Sequence, residues 1–120
     1  MTQEDKELLL KDLCGRLPYG TLVYAHNDID WYESEICTQV LSDVINDDYV
    51  VKPYLFPLSS MTEEQKEEYC QLQQKVIYNH KGFVNKDVMD YVNWCYKNHL
   101  DINDLIRRCL AIDATNLEIY

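Results

Sequence analysis

The stretch from Leu55 to Tyr69, LFPLSSMTEEQKEEY, limits the fold of this chain more than any other part of it. Before it runs DYVVKPYLFP, a β-branched, apolar segment whose two prolines lack the amide hydrogen that a sheet interior needs. This segment is expected to be an edge strand or an extended packed piece. After it comes Thr62, three residues ahead of Gln65, which is the spacing of a capping box. In that box the hydroxyl accepts from the backbone N–H at the later position, and the glutamine side chain accepts from the N–H of the threonine. Glu63 and Glu64 suit the positive end of a helix dipole, and Tyr69, Leu72, Val76 and Ile77 recur at helical spacing. Extended chain must therefore give way to helix within a few residues, so the fold mixes the two. Ser59 and Ser60 are punctuation at that junction, because a nucleophilic serine needs a His and an orienting acid and none adjoins them.

The remaining elements follow from the same signals. Thr2 caps a helix over Gln3–Cys14 whose inward face is Leu8, Leu9 and Leu13, with Gly15 as the expected stop and GRLPYG as a turn. TLVYAH reads as a strand and NDID as the next turn. WYESEICTQVL reads either as the partner strand or, from Glu35 to Ile45, as a helix, and periodicity leaves both open. Gly82 is expected to break the helix that starts at Thr62, and Asn85 to cap another from Lys86 to about Asn98 with Val88, Tyr91, Val92 and Cys95 inward. Asp101 is expected to cap a short helix through Leu105, Ile106, Cys109 and Leu110, and IDATNLEIY to trail off extended. At 120 residues the expectation is one α+β domain over residues 1–120, with a short antiparallel sheet flanked by about four helices.

Charge and cysteine usage narrow the function. A net charge of −10 argues against direct nucleic-acid binding through phosphates, which requires clustered bases. From Thr21 to Ser60 the acids Asp28, Asp30, Glu33, Glu35, Asp43, Asp47 and Asp48 meet a single base, Lys52, and form a candidate acidic face. The start MTQEDKELLLKDL lacks the basic opening and the apolar length of an export signal, so the expected location is the cytoplasm, with no membrane partner. Five scattered cysteines without a Cys-x-x-Cys pair are expected to be reduced core residues rather than metal ligands.

No residue pattern carries a catalytic or cofactor signature, and neither a catalytic residue, a metal nor a cofactor is expected. HNDID places His26, Asp28 and Asp30 in alternation, the one arrangement that fits a small metal-dependent hydrolase, but an Asn- and Asp-rich turn needs no ion. His80 and His99 stand where helix C-termini are expected and suit the dipole there. Ten tyrosines and two tryptophans against two phenylalanines form a polar-tipped aromatic set, of the kind that concentrates at binding surfaces. Tyr24, Trp31, Tyr32, Tyr49 and Tyr54 are the candidates for a ligand or partner surface. Lys52, Arg107, Arg108 and Arg16 are the bases that could meet a phosphate.

Three blocks, LLLKDLCGRLPYG, VVKPYLFPLSSMTEEQKEEY and WCYKNHLDINDLIRRCLAIDATNLEIY, resemble a family of short proteins of gut Bacteroidetes and of their phages and prophages. Those relatives carry Asp-Tyr-Arg-Gly-Leu-Ile where this chain has DINDLI from Asp101, and the family supplies no activity to carry over residue by residue. The resemblance implies a mobile-element setting in a bacterial host. Taken together, the expectation is a non-enzymatic viral binding protein that sequesters or masks a host component in anti-defence, either as a nucleotide-signal sponge or as an acidic-face inhibitor of a host protein. The alternatives are the metal-dependent hydrolase and an oligomeric structural or regulatory scaffold.

Overall fold

The computed structural model describes residues 2–78 and 85–120. The break expected at Gly82 and the role expected of His80 lie outside them. Among the described residues four α-helices, α1 (Gln3–Arg16), α2 (Thr38–Ile45), α3 (Glu63–Tyr78) and α4 (Asn85–Lys97), accompany four strands, β1 (Leu22–His26), β2 (Trp31–Glu35), β3 (Val50–Leu55) and β4 (Ile112–Asp113). The class is α+β, as expected.

The sheet order is β2-β1-β3-β4. β1 pairs antiparallel with both β2 and β3, whereas β4 joins β3 in parallel, opposite Tyr54 and Leu55. The sheet is thus antiparallel but for this last, two-residue strand. Of the two readings that its prolines allowed, β3 is the extended packed piece and not an edge strand, because β4 comes to lie beside it at Tyr54 and Leu55. Pro53 nevertheless stands outside the β3–β4 register, which begins at Tyr54. The open alternatives for residues 35–45 resolve into one of each: β2 ends at Glu35, Ile36 and Cys37 turn the chain, and α2 begins at Thr38.

One face of the sheet is packed. Val23, Ala25, Val51 and Leu55 meet Leu9 and Leu13 of α1, Val40 and Val44 of α2, and Leu105, Leu110 and Ala111 in a single buried cluster. α3 packs on α4, and α4 on α1. The capping box is formed as expected, with the Thr62 N–H 3.0 Å from Gln65 Oε1 and the Gln65 N–H 3.2 Å from Thr62 Oγ1. Thr2 likewise accepts from the Asp5 N–H.

Several expectations fail for reasons that lie far away in the chain. Gly15 does not stop α1. A Cβ there would come within 2.3 Å of the Tyr96 ring, so its lack of a side chain admits α4, and the helix ends through a 3-10 turn at Gly20, whose φ is +66°. Asp101 does cap, accepting from the Leu105 and Ile106 N–H groups, but residues 102–110 form turns instead of a helix, since Asp104 and Cys109 adopt positive φ. Leu105 and Leu110 are buried there, and Cys109 is exposed. Of the cysteines only Cys95 is a core residue, its thiol pushed up to about 11 by burial; Cys14, Cys37, Cys70 and Cys109 are exposed free thiols. Ile77 and Val88, expected inward, are exposed.

The segment 112–120 is not a trailing tail. Past the last β1–β3 pair, Val23 with Pro53, the strands part, and the Tyr120 hydroxyl fills the gap: it accepts from the Leu22 N–H at 2.9 Å and donates to the Tyr54 carbonyl at 2.7 Å. Its ring stacks on His99 at 3.9 Å, and His99 Nδ1 lies 3.0 Å from Thr21 Oγ1.

Candidate functional site

Successive side chains of a strand point to opposite faces, and residues paired across a sheet point to the same one. The register therefore assigns the second face directly. Its rows are Trp31–His26–Val50, Glu33–Tyr24–Lys52 and Glu35–Leu22, with Tyr54 continuing the side of Lys52. No helix covers the first of these rows. Trp31 is 64% exposed and Val50 43%, and Ile29, at the tip of the β1–β2 turn, is 90% exposed. The Trp31 and Tyr24 rings stack at 6.0 Å, and the His26 ring lies 5.6 Å from that of Tyr24. This row is an open aromatic surface with polar tips.

Glu33 and Glu35 share this face with Trp31, and Asp28, Asp30, Asp47 and Asp48 are exposed as well, Asp47 in an ion pair with Lys6 of α1. Asn27 ties two of the acidic groups together: its side chain accepts from the Ile29 and Asp30 N–H groups and donates to the Asp48 carbonyl, so the β1–β2 turn and the turn before β3 meet at one end of the sheet. Asp43 is apart from the others. It is buried beneath the packed face, where it accepts from Tyr32 Oη at 2.6 Å and from Gln39 Nε2 at 3.0 Å.

The aromatic candidates divide accordingly. Tyr24 and Trp31 lie on the open face. Tyr32 and Tyr49 meet edge to face at 5.1 Å on the other side of the sheet, and the Tyr49 hydroxyl donates to Asp30 at 2.8 Å. Burial and the Asp43 hydrogen bond raise the Tyr32 phenol above its ordinary range, and the bond to Asp30 raises that of Tyr49. Tyr54 is 6% exposed; burial and its 2.9 Å hydrogen bond to Glu33 push it up to about 12. These three tyrosines are neutral donors that fix carboxylates in place. Composition marked all five rings but not this division of labour.

The bases separate as well. Lys52 and Arg108 line one cleft of about 380 Å³, with Val50, Val51, Leu110 and the carboxylate of Asp5, which lies 3.9 Å from Arg108. Arg107 pairs with Asp104. Arg16 is wholly buried and unavailable to a phosphate: it donates to both oxygens of Asp12 and to the Leu100 carbonyl, and it lies 4.7 Å over the Tyr96 ring. Asp12 and Arg16 stand one helical turn apart, a spacing visible in the sequence, but only the arrival of Tyr96 and Leu100 makes the pair internal.

Among the described residues, no three His, Cys, Asp or Glu side chains converge as a metal site would require. His26 belongs to the aromatic row, and Asp30 is held by Tyr49. Ser60 Oγ donates to the Pro57 carbonyl at the start of the strand-to-helix junction. No helix among the described residues is long and apolar enough to cross a membrane.

No family model matches the chain, and no curated protein or solved structure matches it.

Proposed function

We propose that this protein is a non-enzymatic binding protein, of phage or prophage type, that masks a basic surface on a host protein in the bacterial cytosol, a role suited to counter-defence. The observation that carries this reading is the open Tyr24–His26–Trp31 cluster, 64% exposed at Trp31, with Glu35 and Glu33, the latter held by the Tyr54 hydroxyl, on the same face. An exposed, amphipathic ring supplies contact area with little ordering cost, and the fixed acids select and steer a positively charged partner. The likeness of three sequence blocks to proteins of gut Bacteroidetes and their phages supplies the setting.

The cleft shared by Lys52 and Arg108 supports a second reading, a sponge for a nucleotide-like signal. Asp5 in that cleft opposes a phosphate, and Arg107 and Arg16 are engaged elsewhere, so the protein-masking reading is the stronger.

The test compares the wild type with a Glu33→Lys/Glu35→Lys variant, each immobilised and exposed to bacterial cytosol, followed by titration with whichever purified protein is retained. A partner held at low salt, released at high salt and lost in the variant is the expected result. A ligand that binds both forms equally, or heat on adding nucleotides with no retained protein, contradicts it.

A further inference from the structure

We infer that the free edge of β2 takes up an extended segment of the partner as an additional strand, with basic residues alternating along it. This rests on the protein-masking reading and gives it a geometry. β2 is the outermost strand on its side of the sheet. Two hydrogen bonds continue its ladder with β1: Asn27 donates to the Asp30 carbonyl, and Ile36 to that of Thr21. In an antiparallel pair the bonded positions alternate, so Asp30, Tyr32, Ser34 and Ile36 direct their backbone groups to β1. Trp31, Glu33 and Glu35 direct theirs outward, to the open edge. These three residues also carry the side chains of the open face. The Glu35 carbonyl accepts from Ser34 Oγ at 3.0 Å, and the other outward groups have no backbone partner among the described residues, so one five-residue edge offers them together with an indole and two carboxylates in register.

An exposed edge is ordinarily guarded by lysine, proline or a bulge. Here the guard is two glutamates, Glu33 and Glu35, and its charge selects what enters. A second copy of the chain pairing antiparallel about Glu33 would set Glu33 against Glu33 and Trp31 against Glu35, bringing carboxylates of both copies together, an arrangement that opposes itself. A strand bearing Lys or Arg opposite Glu35 and Glu33, and a third Arg over the Trp31 ring, pairs every one of these groups. Residues between them would lie on the side of Tyr32 and Ser34, where small β-branched side chains fit. In such strand addition, main-chain bonds provide affinity and alternate side chains provide specificity.

The probe is the peptide Thr-Lys-Val-Lys-Thr-Arg-Val with blocked ends, titrated calorimetrically into the full chain alongside Lys-Lys-Arg-Thr-Thr-Val-Val, which has the same composition without alternation. The alternating peptide should bind at least about tenfold more tightly, and N-methylation of its central Lys should abolish that margin, because it removes the N–H that would donate to the outward Glu33 carbonyl. Amide exchange at Trp31, Glu33 and Glu35 should slow on binding while Tyr32 and Ser34, already bonded to β1, stay unchanged. Glu33→Pro should remove the margin too, because it deletes an outward N–H, with its melting curve checked first; the methylated peptide needs no variant at all. Equal binding of both peptides without slowed exchange would overturn strand addition and leave the acidic, aromatic face standing. Failure of both peptides to bind would overturn the face reading as well. Sedimentation of the free protein as a dimer that the peptide does not dissociate would assign the edge to a second copy and overturn the proposal.

Discussion

The two faces of the sheet are made from the same three strands and differ in almost everything else. Val23, Ala25, Val51 and Leu55 on one face are at most 2% exposed, closed over by α1 and α2. On the other, Trp31 and Val50 remain largely in water. Where the packed side needs polar groups it buries them with partners, as with Asp43 under Tyr32 and Gln39 and with Asp12 under Arg16 and Asn103, although Arg16 Nη1 is left without a hydrogen bond. The open side instead keeps its acids solvated and fixes only some of them. The packed side thus carries the apolar burial that stabilises the sheet, and the open side is the one we propose holds a partner. An exposed tryptophan has no role in the first task and suits the second.

That contrast can be broken by substitution, and the largest effect should come from the packed side. Asp12→Ala leaves the Arg16 guanidinium buried without its carboxylate, and urea denaturation should show a loss of about 3–5 kcal/mol. A loss below about 1 kcal/mol would mean that the pair is hydrated. Tyr120→Phe removes the hydroxyl between β1 and β3 and strands the Leu22 N–H and the Tyr54 carbonyl, for an expected loss of about 1–3 kcal/mol in the same measurement.

A smaller effect depends on pH. Burial, with a lesser contribution from the Arg16 charge, pulls the His99 imidazole down to about 4 from its ordinary 6.5. The unfolded chain binds a proton there that the folded chain refuses, so this contribution is whole above about 6.5 and declines as pH falls toward 4. The Tm of the wild type should drop across that window more steeply than that of His99→Gln; parallel profiles would show that His99 is not responsible. The smallest effect on stability is expected on the open face, where Trp31→Ala should change it by no more than about 0.5 kcal/mol.

What was legible in the sequence was local. The capping box at Thr62 and Gln65 is formed as its spacing foretold, because both partners lie within one turn. β1 follows from its β-rich run, and Asp101 accepts two backbone N–H groups as a helix cap would. The helix expected after Asp101 was not there, since backbone turns at Asp104 and Cys109 answer to the packing of Leu105 and Leu110 on a remote core. Gly15 looks like a helix stop until Tyr96 arrives from the other end of the chain. Pro53 marks an edge only locally: Ile112 and Asp113 come alongside its strand just beyond it, at Tyr54 and Leu55.

The site was legible by composition and opaque by geometry. Trp31 and Tyr32 are neighbours with the same polar-tipped character, yet they point to opposite faces, and only the strand assignment of residues 31–35 separates a surface ring from a structural one. The same parity puts Glu33 and Glu35 beside Trp31 on the open face. Asp43 counts as one more acid in the sequence and is internal in the fold because α2 turns it inward toward Tyr32.

The central claim, that the open face binds and the packed face stabilises, is tested most directly by measuring a single variant in two ways. Trp31→Ala should melt within about 2 °C of the wild type, consistent with a near-neutral surface change, and should bind the alternating basic peptide at least about tenfold more weakly, as the loss of a hot-spot ring implies. A variant that melts well below the wild type, or that binds the peptide undiminished, would contradict the account.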